Sequence, residues 1–290
     1  NYSHLALYAG RSAKRQMTDR YCVLGNPIAH SKSPAIHARF AAIAAQDMSY
    51  EAQLAPLDGF AVTIREFIAA GGRGANVTVP FKEEAYRLCG RRSARAERAG
   101  AVNTLVFDGA EIFGDNTDGA GLVSDITGNL GIGLRGKRVL LLGAGGAASG
   151  VVEPLLAQQP ASLFIANRSA DKALALAASF SDIVAVDAGN LAKIVGNSFD
   201  VVINATSASL SGETLPLPDG IFAPGSLAYD MMYGKGETPF MRQARAQGAS
   251  QCADGLGMLV EQAAEAFALW RGVRPETAGV LGDLRAQLAR

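Results

Sequence analysis

The segment that most restricts the fold is Val139-Leu140-Leu141-Leu142, which runs straight into Gly143-Ala144-Gly145-Gly146-Ala147. An unbroken apolar run of this kind reads as a strand covered on both faces, as parallel strands are. Glycines directly behind it permit a tight turn and let backbone N–H groups approach a ligand. The helix expected over 146–158 aims the positive end of its dipole at the same place. From here the pattern alternates: strand 137–142 and that helix, strand 162–166 and a helix near 170–180, then short strands at Ile183–Val186, Val201–Asn204 and Leu227–Tyr229. This predicts an open parallel sheet with helices on both faces.

The preceding stretch is built differently. Tyr21–Gly25, Ser49–Ala55 and Ala75–Val79 read as strands, the last ended by Pro80. Ser33-Pro34 reads as an N-cap with proline at N1, opening a helix to about Gln46. Phe60–Ala70 and a stretch ending near Leu88 read as helices, and Ala101–Phe107 with Ile112-Phe113 as a hairpin around Asp108-Gly109. A long helical stretch begins near Asp118 and is broken by Gly131–Gly136. Leu256–Trp270 has an alanine-rich helix pattern, and a short helix follows Pro275. The expected architecture is two-domain α/β. Residues 18–117 with 255–290 form a smaller mixed α/β domain, and 118–254 a Rossmann-like dinucleotide domain. The C-terminal helices cross back onto the first domain and leave a cleft on the other side. Residues 1–17 fall outside both domains; 1–16 read as a tag or upstream remnant ahead of Met17 as the natural start, with a genuine flexible extension as the alternative. Arg11, Lys14 and Arg15 follow the apolar residues, the reverse of a signal peptide.

With 290 residues there is material for two domains of ordinary size. Lys plus Arg and Asp plus Glu are each 27, a balance that gives no global pull toward nucleic acid or an anionic membrane. Charges and glycines interrupt every apolar stretch before membrane-spanning length. Cys22, Cys89 and Cys252 are scattered, which argues against a disulfide framework and for a reducing cytoplasm. His4, His30 and His37 form no metal-ligand pattern, so no catalytic metal is expected. His30 is expected to support its loop and His37 to be structural.

Two polar runs carry the chemistry: Asn76-Val77-Thr78-Val79-Pro80-Phe81-Lys82 and Gly114-Asp115-Asn116-Thr117-Asp118-Gly119. Each offers fixed polar groups; one brings a lysine, the other an aspartate. Beside a dinucleotide loop they point to an oxidoreductase with a polar substrate. The cofactor choice is read at the end of the second strand, where Asn167-Arg168-Ser169 has no acid to take a ribose hydroxyl and Lys172 lies nearby. Arg168 and Lys172 suit the extra phosphate of NADP rather than NAD, with Asp171 facing away.

The chain resembles the shikimate dehydrogenase family. The resemblance runs from Met17 to the C-terminus through Gly25–Pro34, Asn76–Lys82, Gly100–Leu105, Gly114–Gly119, Gly143–Ala147, Asn167-Arg168, Asn204–Ser207, Tyr229–Tyr233 and Asp254–Gln262. It implies reversible reduction of 3-dehydroshikimate to shikimate with NADPH. Lys82 and Asp118 correspond to the catalytic pair, and Ser31 and Ser33 to the holders of the substrate carboxylate. Asn76, Thr78, Asn103 and Gln262 correspond to residues around the ring hydroxyls, and Tyr233 to a tyrosine near the substrate. Gly143, Ala144, Gly145, Gly146 and Ala147 match the phosphate loop. Asn167, Arg168 and Lys172 match the adenosine-phosphate clamp; Thr206, Gly255 and Met258 match the nicotinamide end. Ser149 departs from the arginine many members carry. A quinate/shikimate dehydrogenase using NAD or NADP and a non-catalytic NADP-binding sensor are the rival readings. A homodimer is compatible with the family.

Overall fold

The computed structural model describes residues 18–183 and 185–290. Residues 1–17, set apart above as a tag or remnant, lie outside the described residues, as does Val184.

Two six-stranded sheets carry the chain. The first contains β1 (Asp19–Gly25), β2 (Met48–Leu54), β3 (Gly72–Val77), β4 (Arg91–Arg92), β5 (Thr104–Asp108) and β6 (Glu111–Asp115). Their order is β2-β1-β3-β5-β6-β4. β1 runs parallel to β2 and β3, whereas β5 lies antiparallel to β3 and pairs with β6 as the expected hairpin. Four helices serve this sheet: α1 (Ser33–Ile43), α2 (Phe60–Ala69), α3 (Lys82–Leu88) and α4 (Ala94–Ala99). The helix α1 does not begin as expected. Lys32 already has helical φ and ψ of −86° and −9°, so Ser33 is the first helical residue and caps nothing. Its N–H is served instead by Ser31 Oγ at 3.3 Å.

Past β6, α5 (Asp118–Ser124) continues as one π-helical turn over Asp125–Asn129 and leads into the second sheet. That sheet contains β7 (Arg138–Leu142), β8 (Ser162–Ala166), β9 (Asp187–Gly189), β10 (Phe199–Asn204), β11 (Phe222–Asp230) and β12 (Gln251–Ala253). All are parallel, in the order β12-β11-β10-β7-β8-β9. The helices here are α6 (Gly146–Ala157), α7 (Ala170–Ala178) and α8 (Pro239–Ala246). The apolar run of β7 now has its reason. Val139 and Leu141 belong to the core on one face of the sheet, Leu140 and Leu142 to the core on the other. Chain order reverses between β7 and β10, the place where such sheets open a crevice at the carboxyl ends of their strands. The strand expected at Ile183–Val186 lies later. A turn closes after α7, and the chain comes level with β8 only where Phe164 pairs Asp187.

The chain ends in α9 (Leu256–Arg271) and α10 (Ala278–Leu288). α9 packs on α1 and α10 on α9, and the three share a core that includes Ile36, Phe40, Leu256, Val260, Phe267 and Val280. The opposite flank of α9 lies on α5 so closely that a Cβ on Gly121 would fall 2.7 Å from Gln262 Cβ. One helix is thereby wedged between the two sheets' units. A second tie joins α4 to the unit of the second sheet through Ser149 Oγ donating to Ala99 O at 2.9 Å and Arg98 pairing with Asp182 at 2.6 Å.

Candidate active site

A cavity of about 530 Å³ opens between the two units. Ser31, Ser33, Asn76, Thr78, Lys82, Asn103, Asp118, Tyr233, Gly255, Met258 and Gln262 all line it. The fold delivers them from separate places. Ser31 and Ser33 stand at the start of α1, Asn76 near the end of β3, Lys82 at the start of α3, Asp118 at the start of α5, and Met258 and Gln262 along α9. His30 is exposed and lines the same cavity, while His37 is fully buried, stacked on Tyr50 at 4.1 Å.

Lys82 Nζ donates to Asp118 Oδ2 at 2.6 Å, with side chains 26% and 13% exposed, so the pair is sheltered yet reachable from the cleft. Asp118 Oδ1 accepts from Asn103 Nδ2 at 2.8 Å. Its backbone N–H donates to Asn116 Oδ1, and its place at the start of α5 lets the helix dipole favour the carboxylate. Asn103 Oδ1 accepts from Thr117 N at 2.9 Å and from Thr104 Oγ1 at 2.8 Å. Thr117 Oγ1 donates to Gln262 Oε1 at 3.3 Å. Asn76 Oδ1 accepts from Tyr50 Oη at 2.7 Å, and its Nδ2 donates to Asn103 O and Thr104 Oγ1. Beneath this run, Arg95 grips Asp115 with two bonds of 2.7 and 2.6 Å, and Ser93 donates to the same carboxylate. Burial pushes the Asp115 carboxyl up, but the Arg95 guanidinium outweighs it and holds the group below the usual carboxylate range. Burial holds the Tyr233 phenol above its ordinary range.

Tyr50, Thr104 and Thr117 are the network members that the residue-by-residue reading missed. Thr104 and Thr117 lie inside the motifs Gly100–Leu105 and Gly114–Gly119, so a signal was present; Tyr50 lies in neither polar run, and only strand pairing brings it to Asn76.

A second cavity, of about 510 Å³, lies over the carboxyl ends of β7, β8 and β10 and is lined by Gly143, Asn167, Arg168 and Thr206. Thr206 thus faces this cavity rather than the one holding Gly255 and Met258. Gly143 has φ of +111°, a conformation that a side chain would strain. Gly145 and Gly146 are exposed at the N-terminus of α6, while Ala144 and Ala147 are half-buried beside them. Gly150 lies against the Asn116 side chain, which seats α6 on the run leading to Asp118. Open backbone N–H groups at a helix start, with the exposed Arg168 beside them, fit a pyrophosphate and a ribose phosphate. Lys172 is exposed on α7 and does not line this cavity; Glu213, which sequence reading passed over, does. Ser149, turned to Ala99 O and Gly146 O, serves the α4–α6 seam.

Comparison with known proteins agrees along the chain. Residues 23–105 match the shikimate dehydrogenase substrate binding domain, 125–211 match shikimate / quinate 5-dehydrogenase, and 255–282 match the shikimate 5'-dehydrogenase C-terminal domain. Over 272 residues the chain is 74% identical to the shikimate dehydrogenase (NADP(+)) of Dechloromonas aromatica, covering 94% of this chain and 99% of that one. An Ael1 enzyme from Pseudomonas putida superposes with a TM-score of 0.88 at 50% identity, covering 92% of this chain and 98% of that one. The shikimate 5-dehydrogenase of Thermus thermophilus, in complex with NADP(H) and shikimate, superposes with a TM-score of 0.82 at 35% identity, covering 93% and 99%.

Proposed function

This chain belongs to the shikimate dehydrogenase family, and on that premise we propose how its cleft catalyses the reversible reduction of 3-dehydroshikimate to shikimate with NADPH. The reaction feeds chorismate and aromatic amino acid biosynthesis. The observation that carries the reading is Lys82 Nζ standing 2.6 Å from Asp118 Oδ2 in a cleft walled by serines and amides. In this reading residues 18–117 with 255–290 hold the substrate and 118–254 hold NADP.

The substrate carries a carboxylate and ring hydroxyls. Ser31 and Ser33 donate to the carboxylate, with the positive end of α1 behind them. Asn76, Thr78, Asn103 and Gln262 meet the hydroxyls, and Tyr233 closes the substrate side. Gly143–Ala147 would cradle the pyrophosphate, Asn167 and Arg168 would take the ribose phosphate with Lys172 nearby, Gly255 and Met258 would face the nicotinamide half from the cleft, and Thr206 would approach it from the neighbouring cavity. When bound, NADPH supplies the hydride to the ketone carbon. Lys82, as ammonium, stabilises the negative charge that grows on the ketone oxygen and gives it a proton. In the oxidative direction the neutral amine takes that proton back. Asp118 orients Lys82 and accepts from a neighbouring hydroxyl.

A homodimer in the cytoplasm completes this reading; its oligomeric part is checked by light scattering. Its chemical part is tested by ultraviolet absorbance of the reduced cofactor, combining shikimate or quinate with NADP⁺ or NAD⁺. Shikimate with NADP⁺ is expected to turn over fastest. Preference for quinate with NAD⁺ would move the chain to the broader quinate/shikimate activity, and inertness in all combinations would leave a nucleotide-binding sensor.

A further inference from the structure

Thr104 opens β5 and is fully buried. It does not line the cleft and cannot touch a substrate. Yet its one hydroxyl stands between two amides that do line the cleft. Thr104 Oγ1 donates to Asn103 Oδ1 at 2.8 Å and accepts from Asn76 Nδ2 at 3.1 Å.

An asparagine amide is nearly symmetric in shape, and its neighbours decide which end faces where. At Asn103 the oxygen is engaged by Thr104 Oγ1 and by Thr117 N at 2.9 Å, which turns Nδ2 toward Asp118 Oδ1 at 2.8 Å and Thr117 Oγ1 at 3.0 Å on the cleft side. Reversing that amide would set an oxygen against a carboxylate oxygen and an N–H against an N–H. At Asn76 the nitrogen is engaged by Thr104 Oγ1 and Asn103 O, which leaves Oδ1 as the acceptor toward Tyr50. A hydroxyl has a single proton, so Thr104 can serve one amide as donor only by serving the other as acceptor.

We propose that Thr104 is a positioning residue of the shikimate reaction, whose hydroxyl sets Asn103 as a donor and Asn76 as an acceptor toward the substrate's ring hydroxyls. The inference rests on the shikimate dehydrogenase reading. It acts twice: through Asn76 on substrate recognition, and through Asn103 on the oxygen of Asp118 that does not hold Lys82.

The test compares Thr104→Val and Thr104→Ala, which lack the hydroxyl, with Thr104→Ser, which keeps it. Shikimate oxidation is followed with NADP⁺, and NADP⁺ affinity is measured by titration. Thr104→Val and Thr104→Ala are expected to lose about tenfold in kcat/KM for shikimate, while Thr104→Ser stays within about threefold of the wild type. NADP⁺ affinity is expected to stay within about twofold throughout. If Thr104→Val does not fold, the Ser and Ala variants, which differ by the hydroxyl alone, carry the same comparison. Unchanged kcat/KM without the hydroxyl overturns the inference. So does a Ser variant as impaired as the other two, or a parallel loss of NADP⁺ affinity. A wild-type protein inert toward shikimate with NADP⁺ overturns the functional reading and this inference with it.

Discussion

The two halves of the cleft are prepared in opposite ways. On the substrate side, Lys82, Asp118, Asn103, Asn76 and Gln262 are bonded to one another or to Thr104, Thr117 and Tyr50. On the cofactor side, Gly145, Gly146, Arg168 and Lys172 are exposed, and neither cation makes an ion pair or side-chain hydrogen bond among the described residues. In the proposed function the difference follows from what each half reads. A ring of hydroxyls is read by the direction of donors and acceptors, and a buried amide left unpaired costs about 1–3 kcal/mol. Such groups must therefore be satisfied by neighbours that also fix their direction. A phosphate is read by charge and by backbone N–H groups, and a solvated guanidinium needs no partner in advance.

The strongest way to break this comparison is at Lys82. Lys82→Met keeps much of the side-chain length but removes the charge and the proton. Pre-steady-state NADPH oxidation at saturating 3-dehydroshikimate is expected to slow by about 10²–10⁴-fold, with shikimate binding modestly weakened. Near-normal hydride transfer with weaker binding alone would make Lys82 an anchor and not a chemical group.

Arg168→Ala sharpens the cofactor half. NADP⁺ should lose about 1.5–3 kcal/mol of binding, and NAD⁺, lacking the extra phosphate, should lose little. Equal losses in paired titrations would transfer the discrimination to another residue.

The last effect, which builds up gradually with pH, concerns the support beneath the substrate half. His37 packs against Tyr50, Phe40, Phe267 and Trp270, and burial pushes its imidazole down to about 3. Above its ordinary value of 6.5 the ring is neutral in both folded and unfolded chains. Between that value and about 3 only the unfolded chain takes up the proton, so stability falls with pH by about 1.4 kcal/mol per unit. Chemical denaturation at stepped acid pH should show His37→Phe losing less stability than the wild type across this window. Parallel losses would mean that His37 is not the acid-sensitive group.

Much of this was legible in the residues. Val139–Leu142 with its glycines announced the parallel sheet, because a strand covered on both faces has to be apolar at every position. The two polar runs do meet in space, since Asn76, Thr78 and Lys82 of one and Asp118 of the other line the same cavity. Boundaries set by pairing or by local φ and ψ were less legible. Apolar Ile183–Val186 looked like a strand, but partnering with β8 places it at Asp187–Gly189. Ser33 looked like a cap, but Lys32 had already turned helical. The short α8 was overlooked although Thr238 caps it and Pro239 opens it.

The sequence by itself determined the kinds of group available: a lysine, an aspartate, serines and amides, a glycine-rich loop, and an arginine with no competing acid at 166–168. Local spacing decides such things, because strands, turns and helix starts extend over only a few residues. Tertiary structure alone decided which way those groups face. Lys82 and Asp118 stand 36 positions apart, and Asn103 and Gln262 159 apart, so their contacts depend on the register of β3 on β5 and on α9 packing against α5. Tyr50 and Thr104 acquired their places the same way. An amide or hydroxyl carries no orientation of its own, and the partners that give it one arrive only when distant segments pack.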